Sequence, residues 1–287
     1  MARHFLNIPI TYKVGIRWAS YLPTFLSYTL SRIIADLSYI FYKLAVKNVK
    51  QNLRLVYPTL SDKRLSSMTR NLFRNYSKYL IDYGRFASFK KNAVIEQISY
   101  YKGKENLDSA LQVNKGLILL TAHLGNWELG GIFFGSYGLK INVLTLRDGN
   151  PEIDNIRRWY RETHGVKTIT VGDSPFSTIE MVRALNNKEV IAMLIDRCPV
   201  GLDSITMDFF NKPTLFPRGP FILSRLTGAP IVWAFVVRER KTYKGIIEGP
   251  FFVKHEKEEY ETLKRVVKLL EKNIILYPDQ WYNFVPI

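Results

Sequence analysis

From residue 116 onward, short apolar runs alternate with longer amphipathic segments, and this alternation limits the possible folds more than any other feature of the sequence. The apolar runs with the length of strands are 116–121, 141–146, 167–171, 190–195 and 231–237. The segments with helical periodicity lie near 126–137, 151–164, 175–187, 218–228 and 258–275. Because strands that alternate with helices build a sheet covered by helices, the pattern predicts an α/β domain.

The first part of the chain has a different pattern, which is typical of helices over residues 20–90. The stretch 21–46 is rich in Leu, Ile, Phe and Tyr, but Pro23, Arg32, Asp36 and Lys43 interrupt it. A bilayer-spanning helix requires roughly 20 mostly apolar residues. We therefore expect a helix that lies on or partly in the membrane interface in preference to a true span. The sequence predicts a helical, membrane-associating segment over 1–90 and an α/β domain over 91–287.

The chain is strongly basic, with 41 Lys and Arg against 25 Asp and Glu and a formal net charge of +16. Such a surplus favours a polyanionic partner, either an anionic membrane surface or a nucleic acid. The 17 Tyr, 17 Phe and 5 Trp suit the headgroup layer of a bilayer as well as stacking on bases. Composition alone leaves both partners open. The same holds for a stripe on one helix face, which is either solvated or directed toward anionic lipid: Lys43, Lys47, Lys50 and Arg54.

The most specific local feature is T-A-H-L-G-N-W-E at residues 121–128, directly after an apolar strand. A polar, Gly-rich turn at the end of a strand is where α/β sheets bind ligands. Gly125 permits unusual backbone angles in this turn, and Asn126 is a candidate N-cap for the following helix. With His123 on the turn and Glu128 in the first helical turn, the carboxylate can hold one imidazole nitrogen and leave the other as a base. On spacing alone, the motif is weak and chance pairing is the favoured explanation.

This stretch resembles the H-x4-D/E block of glycerolipid-type acyltransferases, and more specifically that of the bacterial lipid A biosynthesis (late) acyltransferases, relatives of the lauroyl- and myristoyl-transferases. Further segments resemble blocks of the same family in the same order, so that the likeness covers roughly residues 45–285: 50–58, 146–151, Asp196-Arg197 with Phe209-Phe210, 219–230 and 277–281. The sequence departs from the family at Arg197, where Gln is usual, and at Asn211, where Gly is usual.

The resemblance implies a glycerolipid acyltransferase-like α/β fold with a central mixed sheet flanked by helices. It implies transfer of a fatty acyl chain from a thioester to a hydroxyl, with His123 as general base and Glu128 as the group that orients it. Arg147 would stabilise the oxyanion or hold acceptor phosphate, and Asp196 would anchor Arg147 or another basic side chain. The remaining substrate-binding candidates are Arg197, Arg218 and Asn126. This chemistry requires no metal and no cofactor.

The partners implied by the resemblance are an acyl carrier protein or acyl-CoA donor, a phosphorylated glycolipid acceptor and an anionic membrane surface, without nucleic acid. The expected location is the cytoplasmic face of the cell inner membrane, by peripheral association or a single N-terminal anchor. The nearest alternative is a phosphatidylinositol mannoside or lysophospholipid acyltransferase that uses acyl-CoA. A nucleic-acid-binding protein and a catalytically inactive membrane scaffold are the alternatives from other classes. The apolar segment 132–134 is predicted to pack in the core in preference to lining an acyl groove.

Overall fold

The computed structural model describes residues 21–86, 89–136, 138–146, 150–172, 176–199 and 201–287. The predictions for residues 1–20 and for Arg147 therefore fall outside the described residues. The division of the chain at residue 90 stays a prediction.

The described chain begins with helices and continues with alternating strands and helices. The helices are α1 (Thr24–Phe41), α2 (Lys43–Val56), α3 (Asp62–Phe86), α4 (Lys91–Ile95), α5 (Lys104–Gln112), α6 (Trp127–Ser136), α7 (Pro151–Thr163), α8 (Phe176–Asn186), α9 (Gly219–Thr227) and α10 (Lys257–Leu276), with a 3₁₀ turn at Pro278–Gln280. The strands are β1 (Ile98–Lys102), β2 (Leu117–Thr121), β3 (Ile141–Leu146), β4 (Val166–Val171), β5 (Val190–Leu194), β6 (Ser204–Phe209), β7 (Lys212–Pro217), β8 (Ile231–Glu239) and β9 (Thr242–Phe251).

Seven of these strands form one central sheet in the order β1-β9-β8-β2-β5-β3-β4. Neighbouring strands run parallel except β8 and β9, which are antiparallel, so the sheet is mixed. β6 and β7 pair separately as an antiparallel hairpin. The predicted α/β fold with a central mixed sheet flanked by helices is confirmed.

The central strands are apolar throughout because helices cover both faces of the sheet. Along β2, Ile118 and Leu120 pack on one face with residues of α8, α9 and α10. Leu117 and Leu119 pack on the other face with residues of α5, α6 and α7. Successive strand residues point to opposite faces, so a five-residue run buried on both sides reads as continuous apolar sequence.

The N-terminal helices pack on one another and on the end of the chain. Leu53 of α2 and Leu72 of α3 share a cluster with Tyr282. Asp36 of α1 accepts hydrogen bonds from Arg74 of α3, at 2.7 Å from Nε and 2.7 Å from Nη2. These contacts connect α1 to the remainder of the described chain.

The orientation of α1 is the reverse of that of an ordinary surface helix. Its buried residues are Ser27, Ser31 and Ala35. Its large apolar residues are exposed by 44 to 73%: Phe25, Leu26, Leu30, Ile33, Ile34, Leu37, Ile40 and Phe41. Among the described residues, no helix is both long enough and apolar enough to cross a bilayer.

The basic stripe on α2 is divided between paired and free cations. Lys50 and Arg54 form ion pairs with Asp62 at the start of α3. Lys43 and Lys47 are exposed. Half of the predicted stripe therefore stabilises the junction of α2 and α3, and the other half faces solvent.

Candidate active site

The turn from β2 to α6 is fixed by close backbone contacts. Gly125 has φ +67°, and a Cβ atom at this position would lie 2.0 Å from the carbonyl oxygen of Val236, so only glycine fits. Its N–H donates to the carbonyl of Gln280 at 2.9 Å. Asn126 caps α6, because its Oδ1 accepts from the N–H of Leu129 at 3.0 Å. The expected strand, turn and capped helix are all present.

His123 lies on this turn and is held by Asp196, which follows β5. Its Nδ1 lies 2.8 Å from Oδ1 of Asp196, and its backbone N–H donates to both carboxylate oxygens, at 3.1 and 3.2 Å. The indole N–H of Trp281 donates to the second oxygen at 3.1 Å. Since β2 and β5 are parallel neighbours, their carboxyl ends bring the two side chains together.

The ionised state of Asp196 determines which tautomer the neutral His123 ring adopts. Burial opposes ionisation of the Asp196 carboxyl, but the His123 imidazole, with help from Arg197 and Trp281, outweighs it and lowers its pKa to about 2. An ionised carboxylate only accepts hydrogen bonds, so Nδ1 carries the proton in the neutral imidazole. The lone pair then sits on Nε2. The His123 side chain is 20% exposed and that of Asp196 is not exposed at all.

The predicted contact between Glu128 and His123 is wrong. Both carboxylate oxygens of Glu128 accept instead from Arg161 of α7, at 3.0 Å from Nε and 2.6 Å from Nη2. Glu128 lies in the first turn of α6, and there it faces α7 while the neighbouring strand end supplies the partner of the imidazole. Burial of Arg161 acts to lower its pKa, but Glu128 outweighs it and the pKa of the guanidinium stays above its ordinary value.

Asp196 was predicted to anchor Arg147 or another basic side chain. Its contact with Arg147 lies outside the described residues, and the basic side chain that it holds is His123. The neighbouring Arg197 has other partners. Arg197 donates from Nε to the side chain of Asn283 at 3.0 Å and from Nη2 to the carbonyl of Tyr282 at 2.9 Å. Burial lowers its pKa, against the influence of Asp196. Arg197 thereby holds the chain segment that follows Trp281 against the site.

Arg218, the other predicted substrate-binding arginine that the structure describes, lies in an ion-pair cluster that does not include His123. It pairs with Glu259 and with Glu256 of the α10 region, and Arg225 also pairs with Glu259, at 2.8 Å. Its guanidinium is therefore engaged by internal carboxylates. The predicted role of Arg147 lies outside the described residues.

Two residues near the site were not assigned a role from the sequence. Arg161 lies 33 residues beyond Glu128 and has no local signal. Trp281 belongs to one of the segments that resemble the family, but only its hydrogen bond to Asp196 shows what it contacts. A second aromatic residue, Trp127, packs edge-on against the His123 ring with centroids 5.3 Å apart.

The apolar segment 132–134 is buried in the core, as predicted. Its side chains are 1 to 3% exposed. Ile132 and Phe134 border a narrow apolar cavity of about 40 Å³ that also touches Gly131, Glu128 and Arg161. The cavity is a small gap in a packed interior.

A histidine held by a buried carboxylate at the carboxyl edge of a mixed sheet is an arrangement that can remove a proton from a hydroxyl. Residues 6–286 match the sequence model of the family described as bacterial lipid A biosynthesis acyltransferase, and the chain belongs to that family. It is an acyltransferase that acts on lipid substrates. Of the classes left open by the sequence, the comparisons therefore support the enzyme.

Three relatives illustrate the range of the likeness. The lipid A biosynthesis lauroyltransferase of Escherichia coli (strain K12) is 26% identical over 273 residues, which cover 93% of this chain and 87% of that protein. The lipid A biosynthesis palmitoleoyltransferase of the same organism is 24% identical over 238 residues, 81% of this chain and 74% of that protein. The phosphatidylinositol mannoside acyltransferase of Mycolicibacterium smegmatis is 28% identical over 169 residues, 57% of this chain and 54% of that protein.

Proposed function

We propose that the protein transfers a fatty acyl chain from an acyl thioester to a hydroxyl of a phosphorylated glycolipid of the lipid A precursor type. The observation that carries this proposal is the contact between Nδ1 of His123 and the buried carboxylate of Asp196, which leaves Nε2 as a base on a partly exposed side chain. The names and coverage of the lipid A relatives support the class of acceptor.

The reaction proceeds in two steps. Nε2 of His123 takes the proton of the acceptor hydroxyl while the oxygen attacks the thioester carbonyl carbon and forms a tetrahedral oxyanion. The carbon–sulfur bond then breaks, the ester remains on the acceptor, and the thiolate leaves with the proton from the imidazolium. Asp196 stabilises the imidazolium between the two steps. Arg147 is proposed as the donor to the oxyanion or to acceptor phosphate, since a guanidinium forms paired hydrogen bonds with either.

Glu128 is proposed to hold α6 in place without contacting His123. Its bidentate pair with Arg161 joins α6 to α7, and α6 begins directly after the turn that carries His123. In this role Glu128 is a positioning residue, and Asp196 takes the orienting role that the sequence predicted for Glu128.

The donor is proposed to be an acyl carrier protein. Such carriers are acidic, and the formal net charge of +16 favours association with an acidic partner. Acyl-CoA is the alternative donor, and a phosphatidylinositol mannoside is the alternative acceptor. The mannoside relatives give that acceptor some support, but the match spans only about half of their length, 54% in the Mycolicibacterium protein.

The protein is further proposed to associate with the cytoplasmic face of the cell inner membrane through α1. The exposed apolar side chains of this helix would be buried in the interface. Lys43 and Lys47 at the start of α2 are exposed and would face anionic headgroups. Asp36, the acidic residue of α1, is neutralised by Arg74 and Arg70 and does not oppose this orientation.

Mass spectrometry tests the function directly. Purified protein and the His123→Ala variant are incubated with acyl thioesters of carrier protein or CoA and with phosphorylated disaccharide lipid, phosphatidylinositol mannoside or lysophospholipid. We expect the mass of one acyl group to be added to the disaccharide lipid by the wild type and not by the variant. If the folded wild type modifies only the mannoside or the lysophospholipid, the proposed acceptor is wrong. If it modifies none of them, the proposed reaction is wrong.

A further inference from the structure

A polar cavity of about 240 Å³ lies beside the candidate active site. It is enclosed by α3, the turn 125–126, the connection from β8 to β9 and the segment that follows α10. The side chains that decide its chemistry are Lys78, Asn126, Arg238, Arg240, Asp279 and Tyr282. One water molecule occupies about 30 Å³ in the liquid, so the cavity has room for a group larger than a single water.

Asn126 lines this cavity and carries a buried side-chain donor without a regular hydrogen bond. Its Oδ1 is committed to the N–H of Leu129 as the cap of α6, and this bond fixes the orientation of the amide. Its Nδ2 has no hydrogen-bond partner among the described residues, although the side chain is only 2% exposed. The Tyr243 hydroxyl is a weak acceptor for this amide, and the contact acts to lower the pKa of the hydroxyl, but it lies outside regular hydrogen-bond geometry and Nδ2 carries a second hydrogen. A buried donor without an acceptor is costly unless a ligand or water fills the site.

Lys78 provides a positive charge on the opposite wall. Within the part of the chain that the structure describes, its ammonium has no hydrogen bond and no ion pair. Partial burial lowers its pKa, and Arg238 and Arg32 act in the same direction. Asp279 and Asp82 act to raise this pKa, but they do not outweigh burial and the two arginines, and neither forms an ion pair with the ammonium within the described residues.

The other charged groups leave this excess of donors in place. Arg238 is committed to Asp82, to which it forms an ion pair, and to the hydroxyl of Tyr28 at 3.0 Å. Asp279, the acidic residue of the lining, accepts from Asn75 at 2.9 Å, and burial raises its pKa against the opposing influence of Asn75 and Lys78. Arg240 is exposed at the rim and has no ion pair among the described residues. The lining thus offers free N–H groups and positive charge, which is the chemistry that binds an anion.

We propose that the polar cavity binds a phosphate group, with Nδ2 of Asn126 and Nζ of Lys78 as its donors. The group belongs either to a phosphorylated acceptor or to free phosphate. The acceptor as its source rests on the proposed function, whereas binding of phosphate itself does not. Because Gly125 and Asn126 of the cavity lining follow His123 on the same turn, an acceptor phosphate held here would place its sugar near His123.

Titration of the folded protein with inorganic phosphate, followed by calorimetry at an ionic strength of about 0.15 M, tests the site without any need for activity. Asn126→Asp keeps an oxygen that caps α6 but replaces the free donor by a negative oxygen. Lys78→Met removes the charge and keeps the length of the side chain. Lys63→Met, on the exposed start of α3, removes one charge outside the cavity and is the matched control.

We expect one saturable site in the wild type and in Lys63→Met, and an affinity lower by about tenfold or more in both cavity variants. The proposal is overturned if the wild type shows no saturable binding of phosphate. It is also overturned if Asn126→Asp binds phosphate as tightly as the wild type does while circular dichroism shows that both proteins are folded. The Michaelis constants of Lys78→Met then identify the source. A rise for a phosphorylated acceptor but not for its dephosphorylated form supports acceptor phosphate, and unchanged constants together with weakened phosphate binding support free phosphate.

Discussion

Asp196 holds His123 at two points, through its backbone N–H at 3.1 Å and through Nδ1 of its ring at 2.8 Å. The first contact fixes the turn on which the histidine lies, and the second fixes the ring and its tautomer. A single buried carboxylate thus determines both the position and the tautomer of the proposed base. The indole N–H of Trp281 donates to its other oxygen, so both carboxylate oxygens have hydrogen-bond partners among the described residues.

The lowered pKa of Asp196 predicts a contribution to stability that is lost in acid. Its folded-state pKa of about 2 lies below the ordinary value of 3.8, so the ionised carboxylate stabilises the fold above pH 3.8 and this stabilisation disappears as the pH falls through 2. The shift corresponds to about 2 kcal/mol. Urea unfolding measures the free energy of unfolding of the wild type and of Asp196→Asn. The difference between these two free energies should shrink by that amount between about pH 5 and about pH 2. A difference that does not depend on pH would contradict this assignment.

The turn that carries His123 is expected to tolerate no side chain at Gly125. A Cβ there meets the Val236 carbonyl at 2.0 Å, whereas a Cβ on Gly131, in the following helix, has no heavy atom within 4 Å. We expect Gly125→Ala to lower the melting temperature strongly and to abolish activity. The matched variant Gly131→Ala should be neutral or more stable by about 0.5–1 kcal/mol, because alanine favours the helix. Equal effects of the two substitutions on the melting temperature would contradict the proposed backbone constraint.

The buried pair of Glu128 and Arg161 is expected to show strong coupling. Each side chain is 9% exposed, so loss of the carboxylate in Glu128→Met leaves a buried guanidinium unpaired and should cost about 3–5 kcal/mol of unfolding free energy. The double variant with Arg161→Met should recover most of this loss, because no uncompensated charge remains. Chemical unfolding of the four proteins in a double-mutant cycle measures the coupling.

Additive losses in that cycle would show that the pair is not an energetic unit. The same proteins also separate the two roles considered for Glu128. If Glu128 only positions α6, the folded Glu128→Met enzyme should show the same pH dependence of kcat as the wild type. A changed pH dependence would return Glu128 to the role of the group that orients His123.

Membrane association through α1 predicts a loss of vesicle binding without a loss of fold. Ile33 and Ile40 are 54 and 58% exposed on the apolar face of this helix. Replacing both by serine should weaken cosedimentation with anionic vesicles by at least about tenfold, since burial of each side chain is worth about 1.5–3 kcal/mol. Leu226→Ser, at a site on α9 that is 63% exposed, is the control and should bind as the wild type does. Unchanged binding of the double variant would exclude α1 as the membrane-facing surface.

The central strands could be predicted from the sequence because they are buried on both faces, which makes each of them a continuous apolar run. Four other strands were missed. β1 has the burial of a half-exposed edge strand, and the hairpin β6–β7 lies outside the main sheet. β9 contains Gly245, Gly249 and Pro250, which interrupt the apolar pattern, and it is long only because β8 pairs with it over most of its length.

The candidate site could be predicted in part. The turn 121–128 was visible because a histidine, a glycine and a helix cap follow one strand within a few residues. Its carboxylate partner was not, because Asp196 lies 73 residues away and the two meet only through the adjacency of β2 and β5. A carboxylate close in sequence was therefore preferred over one close in space. Strand order is a tertiary property that local spacing does not contain.

The most direct test of the account is the steady-state rate of acyl transfer by Asp196→Asn, measured beside the wild type on the acceptor that the wild type modifies. An amide in place of the carboxylate cannot stabilise the imidazolium, so we expect kcat to fall by about 10²–10⁴-fold. The Michaelis constant should change by no more than about threefold, because the interaction is needed in the transition state and not for binding. A folded Asp196→Asn enzyme that retains the wild-type kcat would contradict the proposed His123–Asp196 base.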